Sequence, residues 1–341
     1  MKLYPGPSCS PLRKHIPVIA ISVAALLALA LPSCRANTKP KPGPATRPAA
    51  TQPFEYSQLH MGVRTRLVGF AMSEAHGEAA CRAAFKRVAD LDDMLTDWRP
   101  QSELMRLCAK AGGPPVPVSE ELFLVLRHAQ DVAQKSNGAF DVTIGPLIQL
   151  WREARKSRKL PTQDQLAKAR ELVGHQKMKL DAQARTVQLL VPGMKLDLGG
   201  IGKGYAGDEA IRVLREHGVS SALCEMGGDL VLGDAPPGRG GWIVEITNDL
   251  PGRISRKVIV KNCAVSTSGD AEQFVVIDKV RYSHIVNPHT GLGLTNSLLV
   301  TIIAKSGLTS DPLSTTISIL GAERGRALAE SYGAKSHIRE P

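Results

Sequence analysis

The sequence predicts an α+β fold: one compact domain of sheets with flanking helices, entered through an export signal and a Pro-rich tether. Three observations predict it. Strand-like runs are joined mostly by short turns while helical patterns come in blocks, which disfavours a doubly wound sheet. Hydrophobic residues make up 43% of the 341 residues and charged ones 22%, the balance of an ordinary globular protein with a useful core. No internal repeat divides the chain.

The opening segment stands apart from that core. Lys2, Arg13 and Lys14 precede the apolar run IPVIAISVAALLALAL. The run is too short, and too soon followed by a processing signal, for a membrane span. That signal, Leu31-Pro32-Ser33-Cys34, is similar to a bacterial lipobox. The expectation is a lipoprotein signal peptide over 1–33 and lipidation (palmitate) at Cys34. A flexible linker follows over 34–55, where Pro, Ala, Thr and Lys bury too little surface to fold. An uncleaved anchor or an ordinary secretion signal is the alternative. Each exports the domain, expected over 56–341. The predicted location is the periplasmic side of a bacterial membrane, reached through the lipid anchor.

Net charge is +11, and Lys2, Arg13, Lys14, Arg35, Lys39, Lys41 and Arg47, against Glu55, carry more than half of it. The remainder forms no dense Lys/Arg stripe and has no interleaved aromatics, so no nucleic-acid interface is predicted. Beyond Cys9 and Cys34, the chain has Cys81, Cys108, Cys224 and Cys263, without CxxC or zinc spacing. Buried free thiols are expected for most of them.

The elements follow in order. Residues 63–72 alternate as a strand. Apolar Ala80, Ala84, Phe85, Val88, Leu91 and Leu95 make 74–96 an amphipathic helix. A loop carrying Trp98 leads to a short helix started by Ser102, and a proline-rich turn leads to a helix over 119–135. After the Asn137-Gly138 turn comes a short extended run, then a helix opened by Pro146 and carrying Trp151. Another helix covers 161–173, and two short strands surround a turn in 176–190. Residues 191–198 read as an apolar strand turning on Gly199-Gly200 into a helix that stops at Gly218. Strands follow near 221–226, 229–233, 242–247 and 256–260. STSGDAEQF (266–274) reads as a turn or ligand loop, and RYSHIVNPHTG (281–291) as a β-like run carrying His284 ahead of a turn. A strand at 297–304 and helices at 308–320 and from about 323 complete the chain.

The chemistry concentrates in a few stretches. In DLGGIGKGYAGD (197–208), glycines between an extended segment and a helix let backbone amides approach an anion, and Lys203 adds a full charge beside the helix N-terminus. That is a phosphate site or only a tight turn. The spacing matches neither GxGxxG nor GxxxxGK[ST]. Asp311 and Thr315, four apart on a helix, share one face and offer two oxygen ligands to a hard cation. The alternative is an aspartate that stabilises the helix dipole. His284 is positioned to take a proton from a nucleophile if it lies at the site. Trp98, Phe140 and Trp151 are candidates to stack on a flat ring or to pack a core.

Together these segments resemble the ApbE family of flavin transferases, FAD:protein FMN transferases. The likeness covers about residues 59–330. It rests on LHMG (59–62), GAFDVTIGPLIQLW (138–151), DLGGIGKGYAGD (197–208), EMGGDL (225–230), AVSTSGD (264–270), RYSHIVNPHTG (281–291) and SDPLST (310–315), in family order. Val63 stands where the family often has threonine, and Pro312 where it more often has alanine. The resemblance implies an ApbE-like domain that binds FAD as substrate with Mg²⁺ at the pyrophosphate. By similarity Met61, Trp98, Ala139, Phe140, Asp141, Asp197, Lys203 and Ile285 line the nucleotide site. The Gly200 carbonyl, Asp311 and Thr315 hold the metal, and His284 accepts a proton. The implied reaction attaches FMN from FAD to a Thr/Ser of a partner protein through a phosphoester and releases AMP. The acceptor is then a membrane or exported redox protein. Two rival readings use the same residues: a Mg²⁺-dependent FAD pyrophosphatase giving FMN and AMP, and a non-catalytic FAD-binding lipoprotein. The Asp311/Thr315 pair speaks against the latter, because storage needs no metal at the pyrophosphate.

Overall fold

Alternating burial builds the main sheet from hairpins. The computed structural model describes residues 51–246, 256–269 and 274–340. β1 (Gln52–His60) pairs antiparallel with β2 (Val63–Ala71) across a two-residue tip, Met61 and Gly62, with φ +49° and +74°. Two successive left-handed residues give the turn whose twist matches a tight hairpin. β1 corrects the expected linker, which was drawn through residue 55. Phe54 is buried, and its ring lies where a Cβ on Gly69 or Gly77 would have to go. Ladder hydrogen bonds and this one anchor order a stretch whose composition reads as tether. The signal peptide, Cys34 and most of the linker lie outside the described residues.

Helices follow as their caps and periodicity demand. α1 (Glu74–Leu95), α2 (Glu103–Cys108) and, after β3 (Val116–Pro117), α3 (Glu120–Lys135) start at Ser73, Ser102 and Ser119. Each serine hydroxyl accepts a backbone N–H from the first turn. α4 (Gly145–Ser157) carries Pro146 in its first turn, and α5 (Gln163–Glu171) opens with a capping box at Thr162 and Gln165. β4 (Met178–Asp181) and β5 (Thr186–Leu189) join β3 in a small three-stranded sheet. The strand expected over 191–198 is a loop. Met194, Leu196 and Leu198 are buried, but only an isolated Ile144–Lys195 bridge forms. The extended run expected before α4 is likewise a turn.

α6 (Gly202–Glu216) leads into β6 (Ala222–Met226), β7 (Asp229–Leu232), β8 (Trp242–Ile246) and β9 (Arg256–Val260). β10 (Cys263–Ser268) occupies part of the segment expected as a turn. Its inward hydroxyls pair with serines instead of burying in an apolar core: Ser266 with Ser310 at 2.8 Å and Ser268 with Ser314 at 2.7 Å. β11 (Phe274–Ile277) and β12 (Val280–Ser283) form a hairpin. β13 (Leu299–Ala304), α7 (Gly307–Leu320), α8 (Ala322–Ser331) and an unanticipated β14 (Lys335–Arg339) end the described chain.

The main sheet has seven antiparallel strands in the order β1-β2-β6-β7-β10-β13-β14. One face packs on α1 and α6 through Leu67, Ala222, Cys224, Met226 and Val231, and on α7 and α8 through Val300 and Ile302. The β8–β9 hairpin covers part of the opposite face, with Val244 and Trp242 over Leu232 and Val265. This confirms the α+β expectation. Cys81, Cys108, Cys224 and Cys263 are free thiols, and burial raises the pKa of each. Among the described residues, no helix is long and apolar enough to cross a membrane.

Candidate active site

The site is built where α6 and α7 touch backbone to backbone. A Cβ on Gly204 would lie 2.1 Å from the Gly307 oxygen, and one on Gly307 would lie 2.2 Å from the Gly204 oxygen. Only glycine at both positions permits this approach. Asp208, one turn further along α6, takes the place of a missing side-chain cap on α7. Its carboxylate accepts the N–H groups of Gly307 at 2.7 Å and Leu308 at 2.8 Å. Burial pushes Asp208 up to about 6 even so.

This crossing delivers a charged triad. The Gly204 N–H donates to Asp311 Oδ2 at 3.0 Å. Lys203 Nζ donates to Asp229 Oδ2 at 2.6 Å and lies 3.3 Å from both Asp311 oxygens. Burial alone would pull Lys203 down, yet Asp229 and Asp311 carry it above the ordinary lysine value. For Asp311 burial prevails over the lysine, and its pKa rises. One ammonium between two carboxylates leaves the triad one positive charge short. Thr315 stands one turn beyond Asp311, and a Cβ on Gly200 would lie 3.5 Å from its Oγ1. A carboxylate, a hydroxyl and a glycine backbone are hard oxygen donors that suit a small divalent cation with water and phosphate completing its shell. No cluster of three or more His, Cys, Asp or Glu among the described residues forms a metal cage by itself.

The other wall is the β1–β2 tip and the segment after α1. Met61 N–H donates to Asp92 Oδ2 at 2.8 Å, which pins the hairpin tip onto α1. Gly62 faces the ring of Trp98, which is 55% exposed and free to stack on a planar ligand. Arg152 of α4 bridges two loops, pairing with Asp97 beside Trp98 and with Asp197 at 3.0 Å. Asp197 in turn accepts the Gly199 N–H at 2.9 Å, and burial raises its pKa. Asp141 holds Thr143 through its backbone N–H at 2.8 Å and its hydroxyl at 2.7 Å, which fixes the turn carrying Ala139 and Phe140. Trp151 is buried and packs edge-on against Tyr282, a core position more than a stacking one. His284 and Ile285 follow β12, where Ser283 Oγ accepts the Ile285 N–H at 3.1 Å.

Met61, Trp98, Ala139, Phe140, Asp141, Asp197, Gly200, Lys203, His284, Ile285, Asp311 and Thr315 all line one cleft of about 950 Å³. That volume accommodates a ligand larger than a mononucleotide. Lys203 departs from expectation in that its ammonium is already engaged by two carboxylates. Asp270 lies outside the described residues. Sequence reasoning missed Asp92, Arg152, Asp208 and Asp229 as site residues. Asp229 stood inside EMGGDL, and Asp208 closed DLGGIGKGYAGD, so both motifs held the signal. Nothing local marked Asp92 or Arg152.

Comparison with known proteins fits this geometry. A sequence model of the ApbE family matches residues 61–338. A Treponema pallidum protein named FAD:protein FMN transferase is 32% identical over 306 residues, 83% of each chain. A Klebsiella pneumoniae protein of the same name is 31% identical over 80% of each. Among solved structures, the flavin transferase ApbE of Vibrio cholerae superposes with a TM-score of 0.76 at 28% identity, over 85% of this chain and 94% of that one. The apo flavinyl transferase ApbE of Pseudomonas stutzeri gives 0.75 at 30% identity, over 85% and 92%.

Proposed function

This chain belongs to the ApbE family, and we propose from that premise that it is an FAD:protein FMN transferase, moving FMN from FAD onto a Thr or Ser hydroxyl of an acceptor protein. One observation carries the reading. Residues from distant segments converge on a single cleft that has a ring-stacking wall at Trp98 and an acidic, oxygen-rich end at Asp311 and Thr315. A dinucleotide with a flat flavin and a pyrophosphate matches both ends.

In this reading Trp98, Met61 and Phe140 hold the isoalloxazine and exclude water from it. Asp311, Thr315 and the Gly200 carbonyl would hold Mg²⁺, which would supply positive charge to the pyrophosphate end of the cleft. Lys203 fixes Asp229 and Asp311 in place and adds its own charge to that end of the cleft. The acceptor hydroxyl oxygen attacks the phosphorus on the FMN side. His284 takes the hydroxyl proton as the new P–O bond forms, the bond to AMP breaks, and AMP leaves. In-line positioning by the walls does most of the work, and no side chain of the enzyme becomes a covalent nucleophile. The cysteine-anchored, periplasm-facing address is part of the same proposal, with an exported or membrane redox protein as acceptor.

The test is to incubate the protein with FAD, Mg²⁺ and the acceptor protein of the Vibrio cholerae relative, then weigh the acceptor by mass spectrometry. A gain of one FMN, abolished by chelation, is expected. Free FMN and AMP with an unmodified acceptor would instead identify a pyrophosphatase, and unchanged FAD a binding protein.

A further inference from the structure

A protein acceptor must touch the surface around the cleft, and the outer face of the main sheet carries a feature that the catalytic groups do not use. Thr267 of β10 and Thr301 of β13 both line the cleft, stand opposite each other in register and share a hydrogen bond of 3.0 Å. The row continues one strand further, where His337 of β14 is the register partner of Thr301. Side chains two apart on a strand share a face, so Lys335 and Arg339 lie on the same side as His337. Arg339 stands opposite Leu299, another cleft residue. Arg256 begins β9, opposite Ile246 of β8, close enough for its charge to act on His337. Burial first, then the charges of Arg256 and Lys335, hold His337 below its ordinary value.

Arg256, Lys335 and Arg339 form no ion pair among the described residues, unlike Arg66, Arg87, Arg152 and Arg212, which all meet carboxylates. Glu245, a cleft-lining carboxylate that stands opposite Lys257 in register, forms no ion pair with any of the three among the described residues. Arg339 adds an independent observation. Its Nε and Nη1 are shielded from solvent with no hydrogen-bond partner among the described residues. A guanidinium with unmet donors is costly to leave so, and its planar fork suits a carboxylate. The pyrophosphate end of the cleft, by contrast, is gathered around Asp311 and Lys203 on the other side of β10.

We propose that Arg256, Lys335 and Arg339 form a docking lane for an acidic segment of the acceptor protein, bound beside the Thr267–Thr301 end of the cleft. The lane rests on the transferase reading and adds to it the chemistry of the partner surface. Its cations steer the acceptor and set its orientation while the chemistry proceeds inside the cleft.

The test compares the full chain with the triple variant Arg256→Gln, Lys335→Gln, Arg339→Gln, using the acceptor protein of the Vibrio cholerae relative at low and high salt. The unsubstituted protein should show a KM for acceptor that rises with salt, as an electrostatic contact requires. The variant should show a KM raised about tenfold at low salt, with little further salt dependence, and an unchanged kcat and FAD affinity. A general structural defect would instead move kcat and FAD affinity together. The double variant Lys335→Gln, Arg339→Gln, should show the same loss in part, so a fold defect caused by Arg256→Gln alone leaves the test intact. A wild-type KM and salt slope in both variants overturns the lane. So does loss of binding to anionic phosphatidylglycerol vesicles with acceptor KM unchanged, which would make the surface a membrane contact. No transfer by the unsubstituted protein would overturn the transferase reading, and the lane with it.

Discussion

Replacing Gly204 by alanine tests whether the contact between α6 and α7 holds the site together. The added Cβ would lie 2.1 Å from the Gly307 oxygen, 2.5 Å from its carbonyl carbon and 2.8 Å from Asp311 Cβ. Comfortable carbon contacts begin near 3.5 Å, so the helices must part by roughly 1 Å or more. Backbone on both sides leaves no flexible side-chain end to yield. Overpacking of this kind costs about 1–3 kcal/mol. The parting also stretches the 3.0 Å bond from Gly204 N–H to Asp311, whose loss adds about 1.5–3 kcal/mol. The sum, about 2.5–6 kcal/mol, should lower Tm by roughly 4–10 °C in a domain of this size. Gly202→Ala supplies the control. Two residues earlier on the same helix, its Cβ meets nothing within 4 Å, and its stability should stay within about 1 kcal/mol of the parent. Urea and thermal unfolding of the three proteins read the difference directly. Equal midpoints for Gly204→Ala and the parent, or equal losses in both variants, would refute the claim that this crossing is limited by backbone contact.

Four further outcomes are expected. Asp311→Ala should fold and lose Mg²⁺-dependent turnover by at least about 100-fold, whereas full Mg²⁺-dependent activity in the variant would remove Asp311 from metal binding. His284→Ala should bind FAD normally and transfer FMN about 10²–10⁴-fold more slowly, and an unchanged single-turnover rate would exclude it as the proton acceptor. Arg152→Ala frees both Asp97 and Asp197, so FAD affinity should fall several-fold with altered Trp98 fluorescence; unchanged titrations by both signals would contradict the bridge. Asp208 has a folded pKa raised to about 6 against an unfolded value near 4, so the folded state binds more protons between those values. Its contribution therefore falls as pH rises from about 4 to about 6, on the order of 3 kcal/mol in total. Asp208→Asn should flatten that slope in urea midpoints measured across the window, and an identical slope would place the titration elsewhere.

Most of the fold was legible because its signals are local. Helical apolar spacing placed α1 and α6, Ser102 marked the start of α2, and the Gly199-Gly200 turn and Gly218 bounded α6 close to where they stand. What was not legible depends on pairing across distance. β1 and β14 are the two edges of the main sheet, with mixed sequences that look like strands only once β2 and β13 supply their hydrogen bonds. β10 reads as a turn because its buried face is hydroxylic, and the serines that satisfy it sit some 44 residues away on α7. Residues 191–198 failed the other way. Met194, Leu196 and Leu198 alternate as a strand would, yet they fill a core beneath a loop. In the site, motif residues came together, while Asp92 and Arg152, which act by bracing other segments, had no pattern of their own.

The way Met61 is held has a consequence for how such a site changes over time. Asp92 grips the hairpin tip through the Met61 amide, not its thioether. The position of that wall is thus separable from what the wall presents. A different side chain at 61 that tolerates the left-handed turn would give a ring of altered shape or polarity a new surface to meet. The loop that carries it would stay where it is. Ligand preference at this wall can drift, or be engineered, one residue at a time without rebuilding the scaffold beneath it.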